Sequence, residues 1–348
     1  TRNGEFVLNY LNAAVDYQLH HNVQHVILYV TSFCNLRCKH CFVEFDKKDL
    51  SLDEFRRLKE QLGPVSILNI GGGEPIFRKD LIDIVKLFSD SGFIGMPTNG
   101  WDTKRTVTFL DQLFSFMKPN KFGLMISIDG LEARHDDIRG RGSFRRALKT
   151  LETVRNQFPE MILQVNTVLT ADNYLEIPEL LEFIQSGYSP SYHSVLLLRG
   201  DPLDSTVKLP PIEEIRKFLS IYKSFIDKYK YNKSGLTEFV AKQYHRYLWD
   251  LSLRTLEEET QVIPCLGGQA HLVIYADGTV APCELLPTVG SLKENSLQEI
   301  LASEPYLAAV EGIKAKNCHC THNCNMTDNI LFDPRNYPRL VGLPFGGY

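Results

Sequence analysis

The sequence predicts an α/β chain, with six βα units wound as an open, partial (β/α)6 barrel and a small β-hairpin and helix module at the C-terminal end. Three observations predict it. Short apolar runs alternate six times with helix-length amphipathic segments. The runs are nearly continuous in apolar residues, as strands covered on both faces are. Beyond Cys265 the texture changes to a hairpin with Asp277-Gly278 at its turn. At 348 residues the chain is long enough for about two domains, or one large domain with an appendage. With 43% hydrophobic and 23% charged residues it is neither disordered nor low-complexity.

The elements follow in order. Val26 to Thr31 reads as the first strand, and Ser51-Leu52-Asp53-Glu54 is a capping box that opens a helix through Leu62. Strands at Val65 to Ile70, Phe93 to Pro97, Gly123 to Ile128, Leu163 to Leu169 and Ser194 to Leu198 alternate with helices near Asp80 to Ser91, Thr103 to Phe116, Phe144 to Gln157, Leu175 to Gln185 and Ile212 to Tyr229. A connecting helix spans Leu236 to Glu258, and the hairpin pairs Ala270 to Tyr275 with Val280 to Cys283. The divisions expected are an extension at 1–24, the barrel at 25–232, the connecting helix at 233–262, the hairpin module at 263–326 and a Pro- and Gly-containing tail at 327–348. In such folds chemistry sits on the loops that follow strand C-termini.

Charge and hydropathy exclude several partners. Thirty-eight Lys and Arg against 42 Asp and Glu leave a net charge of −4, without a basic tract for nucleic acid or anionic membrane. The longest apolar runs, Val26 to Val30 and Val195 to Leu198, fall far short of the roughly 18 residues of a membrane span. The chain begins at Thr1, and its first residues carry no basic segment followed by an apolar signal core, so a cytoplasmic protein is expected.

The eight cysteines fall into two groups, too few and too clustered for a disulfide scaffold. Cys34, Cys38 and Cys41 share one loop as C-x3-C-x2-C, and soft thiolates select zinc, copper(I) or iron–sulfur clusters. Structural zinc wants four closed ligands, and His40, lying between two of the cysteines, is poorly placed as the fourth. A [4Fe–4S] cluster on three thiolates keeps one iron open. Cys265, Cys283, Cys318, Cys320 and Cys324 form the second group, where zinc with His319 or His322 is the alternative to a cluster.

These residues resemble the radical S-adenosylmethionine (radical SAM) superfamily over most of residues 25 to 325. The cysteine spacing lies on the loop after the first strand, and Gly72-Gly73-Glu74-Pro75 follows the second. The resemblance implies that Cys34, Cys38 and Cys41 ligate a catalytic [4Fe–4S] cluster whose open iron is chelated by S-adenosylmethionine. Cleavage of that cofactor gives a 5′-deoxyadenosyl radical that takes a hydrogen atom from a substrate. His40 would lie against the adenine, and Gly72, Gly73 and Glu74 would meet the methionine ammonium. Asn99 in Thr98-Asn99-Gly100, and Ser127 and Asp129 in Ser127-Ile128-Asp129-Gly130, resemble the ribose and carboxylate contacts, although both segments also read as strand-end turns. Arg139 would pair the methionine carboxylate, with a solvated charge run as its alternative. The second cysteine group resembles the SPASM and twitch modules. Five of the seven SPASM cysteines are present, which implies a second, auxiliary [4Fe–4S] cluster on four of them, Cys318 and Cys320 competing for one role. The expected enzyme is a radical SAM oxidoreductase or transferase served by a reductant such as flavodoxin or ferredoxin. Arg199, closing the sixth strand, would hold a substrate carboxylate or phosphate unless Asp201 claims it. A small natural-product, sugar-like or lipid substrate is expected ahead of a peptide. A peptide-modifying maturase or epimerase, an iron–sulfur electron carrier and a zinc-stapled binding module are the competing readings.

Overall fold

A computed structural model describes residues 4–229 and 235–343. The boundary expected at 232/233 and the tail residues 344–348 lie outside the described residues. In chain order the elements are α1 (Gly4–His20), β1 (His25–Thr31), α2 (Leu52–Leu62), β2 (Ile67–Gly72), α3 (Leu81–Leu87), β3 (Phe93–Thr98), α4 (Thr103–Leu113), β4 (Phe122–Ser127), α5 (Glu132–Arg139), α6 (Ser143–Gln157), β5 (Ile162–Leu169), α7 (Ile177–Tyr188), β6 (Tyr192–Leu197), α8 (Ile212–Lys228) and α9 (Leu236–Glu258). They are followed by β7 (His271–Ile274), β8 (Thr279–Ala281), β9 (Gly290–Ser291), α10 (Leu297–Leu301), α11 (Glu304–Lys314), α12 (Asn323–Leu331) and α13 (Tyr337–Leu340).

All nine strands form one sheet in the order β6-β5-β4-β3-β2-β1-β7-β8-β9, with β1 to β6 parallel neighbours in sequence order. The partial barrel is therefore open, with β6 at one edge. The hairpin is not a separate layer. β7 pairs parallel with β1, His25 opposite His271, so the C-terminal module extends the barrel's own sheet. His271-Leu272-Val273-Ile274 is fully buried, and a two-stranded hairpin could not bury both of its faces alone.

Local chemistry explains the elements that were legible. In α2 the Ser51 hydroxyl accepts from the Glu54 N–H and the Glu54 carboxylate accepts from the Ser51 N–H, a reciprocal cap worth about 1 kcal/mol. Phe55 and Leu58 then bury one face of that helix against the sheet. The run His135 to Arg139 is helix α5, with His135 and Ile138 buried, rather than a solvated charge run. The tail holds the end of α12 and α13, and Leu340 joins Leu248, Leu251, Met326 and Ile330 in a core beside α9.

The two faces of the sheet differ, and this positions the site. Val26, Leu28 and Val30 point into a dense core with Leu68, Ile70, Ile94, Leu124 and Val165 under the helices. The alternate residues, Ile27 and Tyr29, Asn69 and Gly71, Met125 and Ser127, Gln164 and Asn166, and Ser194, instead line a cavity of about 800 Å³. Six of those positions, Asn69, Gly71, Ser127, Gln164, Asn166 and Ser194, are small or polar and leave the barrel interior hollow, where a closed eight-stranded barrel packs layers of large aliphatic side chains. The helix α9 residues Val240, Ala241, Tyr244 and Leu248 wall this cavity along one helical face.

Candidate active site

The loop after β1 is held at several points. Asp49 accepts from the Thr31 hydroxyl at 2.6 Å and from the Ser32 N–H at 2.8 Å, which joins the two ends of the loop. The turn after β2 bonds to it through Gly73 N–H to Thr31 O and Glu74 N–H to Phe33 O, both 2.8 Å. The segment after β6 closes it from the other side, Leu203 N–H donating to Cys41 O and Asp204 N–H to Lys39 O. Gly72 and Gly73 are required for the close approach: a Cβ on Gly72 would lie 2.2 Å from Thr31 O, and one on Gly73 2.2 Å from Phe33 O.

Cys34, Cys38 and Cys41 are free thiols facing the same cavity. Burial pushes Cys38 up to about 12 and raises the other two, so none is an activated nucleophile. Buried thiols of this kind fit metal ligation, because a bound metal favours the thiolate. Among the described residues no group of three His, Cys, Asp or Glu side chains is arranged to hold a single metal ion. The cavity lining also carries buried polar atoms without hydrogen-bond partners, His40 Nδ1 and Arg199 Nε, as a site for a polar cofactor should.

Behind the thiols lies a buried charge pair. Arg139 Nε donates to Asp129 Oδ2, and its Nη1 lies 3.8 Å from Cys38 Sγ. Burial works against the Asp129 charge, but Arg139, then His40 and His135, hold its pKa down to about 2. His40, 3.7 Å from Asp129, is kept neutral by burial, its pKa lowered to about 4. Glu74 is 1% exposed and accepts from the Asn99 N–H at 2.6 Å, the Thr98 hydroxyl at 2.8 Å and the Ile76 N–H at 3.3 Å. Desolvation nonetheless pushes it up to about 7. Asn99 in turn donates to Asn35 Oδ1 at 2.8 Å, which ties the β3 loop to the cysteine loop.

The second thiol group is assembled from distant segments. Gln261 accepts from the Cys265 N–H and donates to Cys318 O at 2.9 Å, which brings those two cysteines together. Asn325 donates to Cys283 Sγ at 3.3 Å. Burial raises Cys265 and Cys283 to about 12, and the Cys320 thiol adds to both shifts. Cys324 stands on the cavity side, 3.5 Å from Asn69 Nδ2.

Between the two groups Glu284, which follows Cys283, meets residues of the barrel. It accepts from the Tyr29 hydroxyl at 2.5 Å, lies 2.7 Å from His322 Nε2, and sits 3.6 Å from Arg199. Burial opposes its charge, but His322 and then Arg199 hold it below the usual carboxylate range. The Arg199 guanidinium lies 5.1 Å from the centre of the Phe42 ring, so it spans from the residue after Cys41 to the residue after Cys283. Its ion partner is Glu284, not Asp201.

The structure brings most of the expected residues to one cavity: His40, Gly72, Gly73, Glu74, Asn99, Ser127, Arg139 and Arg199 all line it with the three thiols. Asp129 is the exception. It is fully buried, spent on Arg139 and on the Val168 N–H at 2.8 Å, and it lies beyond the end of β4, where period two no longer applies. It positions Arg139 rather than facing the cavity. His322, a candidate zinc ligand, has both nitrogens engaged, by Glu284 and Asn325. Tyr29, Asn69, Gln164, Asn166 and Glu284 escaped sequence reasoning. Polar residues at alternate positions inside apolar strands, as in Gln164-Val165-Asn166, were the available signal.

Comparisons with known proteins agree with this geometry. The Radical SAM superfamily pattern matches residues 28–184, and SPASM, an iron–sulfur cluster-binding domain, matches residues 265–325. An AdoMet-dependent heme synthase of Methanosarcina barkeri is 29% identical over 290 residues, covering 78% of this chain and 80% of the relative. Its counterpart in Oleidesulfovibrio alaskensis is 26% identical over 315 residues, covering 84% and 78%. Streptococcus suis SuiB bound to S-adenosylmethionine shares the fold with a TM-score of 0.62 at 18% identity, covering 86% of this chain and 70% of SuiB. The chain carries a radical SAM superfamily domain, which implies a [4Fe–4S] cluster and S-adenosylmethionine, and a SPASM domain, which implies auxiliary iron–sulfur ligation; it is a radical SAM enzyme.

Proposed function

We propose that the enzyme oxidises a carboxylate-bearing, largely apolar small molecule of tetrapyrrole size inside the barrel. The observation that carries this reading is the hollow interior, a cavity of about 800 Å³ that the substrate would share with S-adenosylmethionine, walled by Ile27, Met125, Val168, Leu196 and the α9 face, with the half-buried cation of Arg199 at its rim. The two heme synthases, each matched over more than three quarters of its length, support the substrate class.

In this reading Cys34, Cys38 and Cys41 hold the catalytic cluster, and Cys265, Cys283 and Cys320, with Cys318 or Cys324, hold the auxiliary one. When bound, the reduced cluster and S-adenosylmethionine would supply a 5′-deoxyadenosyl radical for hydrogen-atom removal, and the auxiliary cluster would supply an acceptor for the second electron of the oxidation. The chain's own residues orient and enclose. Arg139, fixed by Asp129, presents a guanidinium to the cofactor carboxylate. Glu74 offers the counter-charge for an ammonium, His40 borders the adenine, and Asn99 and Ser127 border the ribose. Arg199, steadied by Glu284 and Phe42, binds a substrate carboxylate between the two thiol groups. The walls from α9 and α12 exclude water.

The test is binding of porphyrin carboxylates to the anaerobically reconstituted enzyme, followed by the shift of the porphyrin absorption band. Micromolar binding that Arg199→Met weakens about tenfold or more supports the reading. Absence of a shift, together with 5′-deoxyadenosine formation stimulated by peptides instead, would overturn it.

A further inference from the structure

The rim of the barrel around the cysteine loop carries three arginines, each lying over an aromatic ring. Arg37 is 4.1 Å from the Phe45 ring centre, Arg105 is 5.4 Å from Phe77, and Arg146 is 4.4 Å from Trp101. All three arginines are exposed. Phe33, immediately before Cys34, is 53% exposed and meets Phe77 edge-on at 6.0 Å. Topology puts these residues at one end of the sheet. Arg37 and Phe45 lie in the loop after β1, Phe77 and Trp101 in the segments after β2 and β3, and Arg105 and Arg146 in the first turns of α4 and α6. Lone exposed phenylalanines are ordinary, but this one adjoins a thiol of the radical site and packs against Phe77, which itself lies under the Arg105 guanidinium.

We propose that this rim is the docking surface for the electron donor, a small acidic flavin- or iron–sulfur-containing carrier protein that passes one electron to the cluster held by Cys34, Cys38 and Cys41. The inference rests on the radical SAM reading of the site and does not depend on which substrate the barrel takes. Cys34 is less buried than Cys38, and Phe33 is the surface residue bonded to it, so a carrier seated on Phe33 makes a short approach for the electron. The carrier is oxidised by one electron and the cluster reduced by one, with no proton or atom transferred. Charge complementarity argues for an acidic partner at this rim, since Arg37, Arg105 and Arg146 outnumber the Asp46 and Asp102 carboxylates that pair with them. Asp46 and Asp102 lie 3.7 and 3.2 Å from Arg37 and Arg105, but exposed pairs of this kind are weak and exchange readily for a partner's carboxylates. Guanidiniums that lie over rings are already partly ordered for such contacts.

The experiment follows cluster bleaching in the reconstituted holoenzyme by stopped flow, with reduced flavodoxin or with dithionite as reductant. The variants are Arg105→Glu with Arg146→Glu, and separately Phe33→Ala. Both charge reversals place an acid in a helix first turn, which the helix tolerates. At low ionic strength the flavodoxin rate constant of the double variant should fall about tenfold, and the difference should shrink as salt rises, while dithionite bleaches wild type and variant alike. Phe33→Ala should slow flavodoxin at every salt concentration. An unchanged flavodoxin rate, an equal slowing with dithionite, or retention by the rim of an acidic peptide in preference to flavodoxin would each overturn the proposal. A wild-type site that neither reductant bleaches would instead refute the cluster reading itself.

Discussion

The two thiol groups of this protein are built in opposite ways. Cys34, Cys38 and Cys41 come from eight consecutive residues on a loop that neighbouring backbone clamps. Cys265, Cys283, Cys318, Cys320 and Cys324 come from three segments joined by the side chains of Gln261, Asn325 and Asn69. A group presented by one loop can leave part of its ligand sphere open toward a cavity. A group gathered from several segments can enclose what it binds, but its integrity then depends on tertiary contacts. Substrate activation suits the first design and electron storage the second.

Single cysteine substitutions should separate the two most sharply. Cys38→Ala should lower iron from about eight to about four atoms per chain and reduce 5′-deoxyadenosine formation to background. Cys283→Ala should lose a similar amount of iron while cofactor cleavage under dithionite persists and substrate oxidation stops. Iron analysis and chromatography of the adenosyl product check both. Equal loss of cofactor cleavage in the two variants would erase the distinction between the sites.

A smaller effect should follow from the charge pair behind the first group. Asp129→Ala leaves Arg139 buried without its partner, at an expected cost of about 3–5 kcal/mol in chemical denaturation. The clamp on the second group should cost less. Gln261→Leu strands the carbonyls of Ile313 and Cys318, an expected loss of about 1–3 kcal/mol, and it should loosen auxiliary iron while leaving the first cluster in place.

The finest test is a proton count at Glu74. With its carboxyl pushed up to about 7, an ammonium docking beside it should release about half a proton at pH 7, more toward pH 6 and almost none above about pH 8. Titration calorimetry in buffers of different ionisation enthalpy reads this directly, and Glu74→Gln should abolish it. Linkage has the matching sign in the unliganded protein: the neutral carboxyl favours the fold at low pH, and that contribution is lost as pH rises from about 4.5 through about 7.

How much was legible in the sequence follows the same contrast. The Ser51 capping box, the βα alternation and the cysteine loop are local signals, and each stands where its pattern placed it. Arg139 lines the cavity but Asp129 does not, because the strand ends at Ser127 and the next residues turn inward to hold the arginine. The hairpin looked like a separate module because pairing between β7 and β1 joins residues about 246 positions apart, for which no local pattern exists.

The sequence alone therefore determined the strand and helix alternation, the loop that presents three thiols and the turn that packs on it, since these depend on propensity, capping and spacing within a few residues. Only the tertiary structure decided that the barrel interior is hollow, that Glu284 joins Arg199 to the C-terminal cysteines, and that one sheet carries both thiol groups. Those outcomes depend on which side chains from distant segments share a buried space, and burial is a property of the packed chain rather than of any stretch of it.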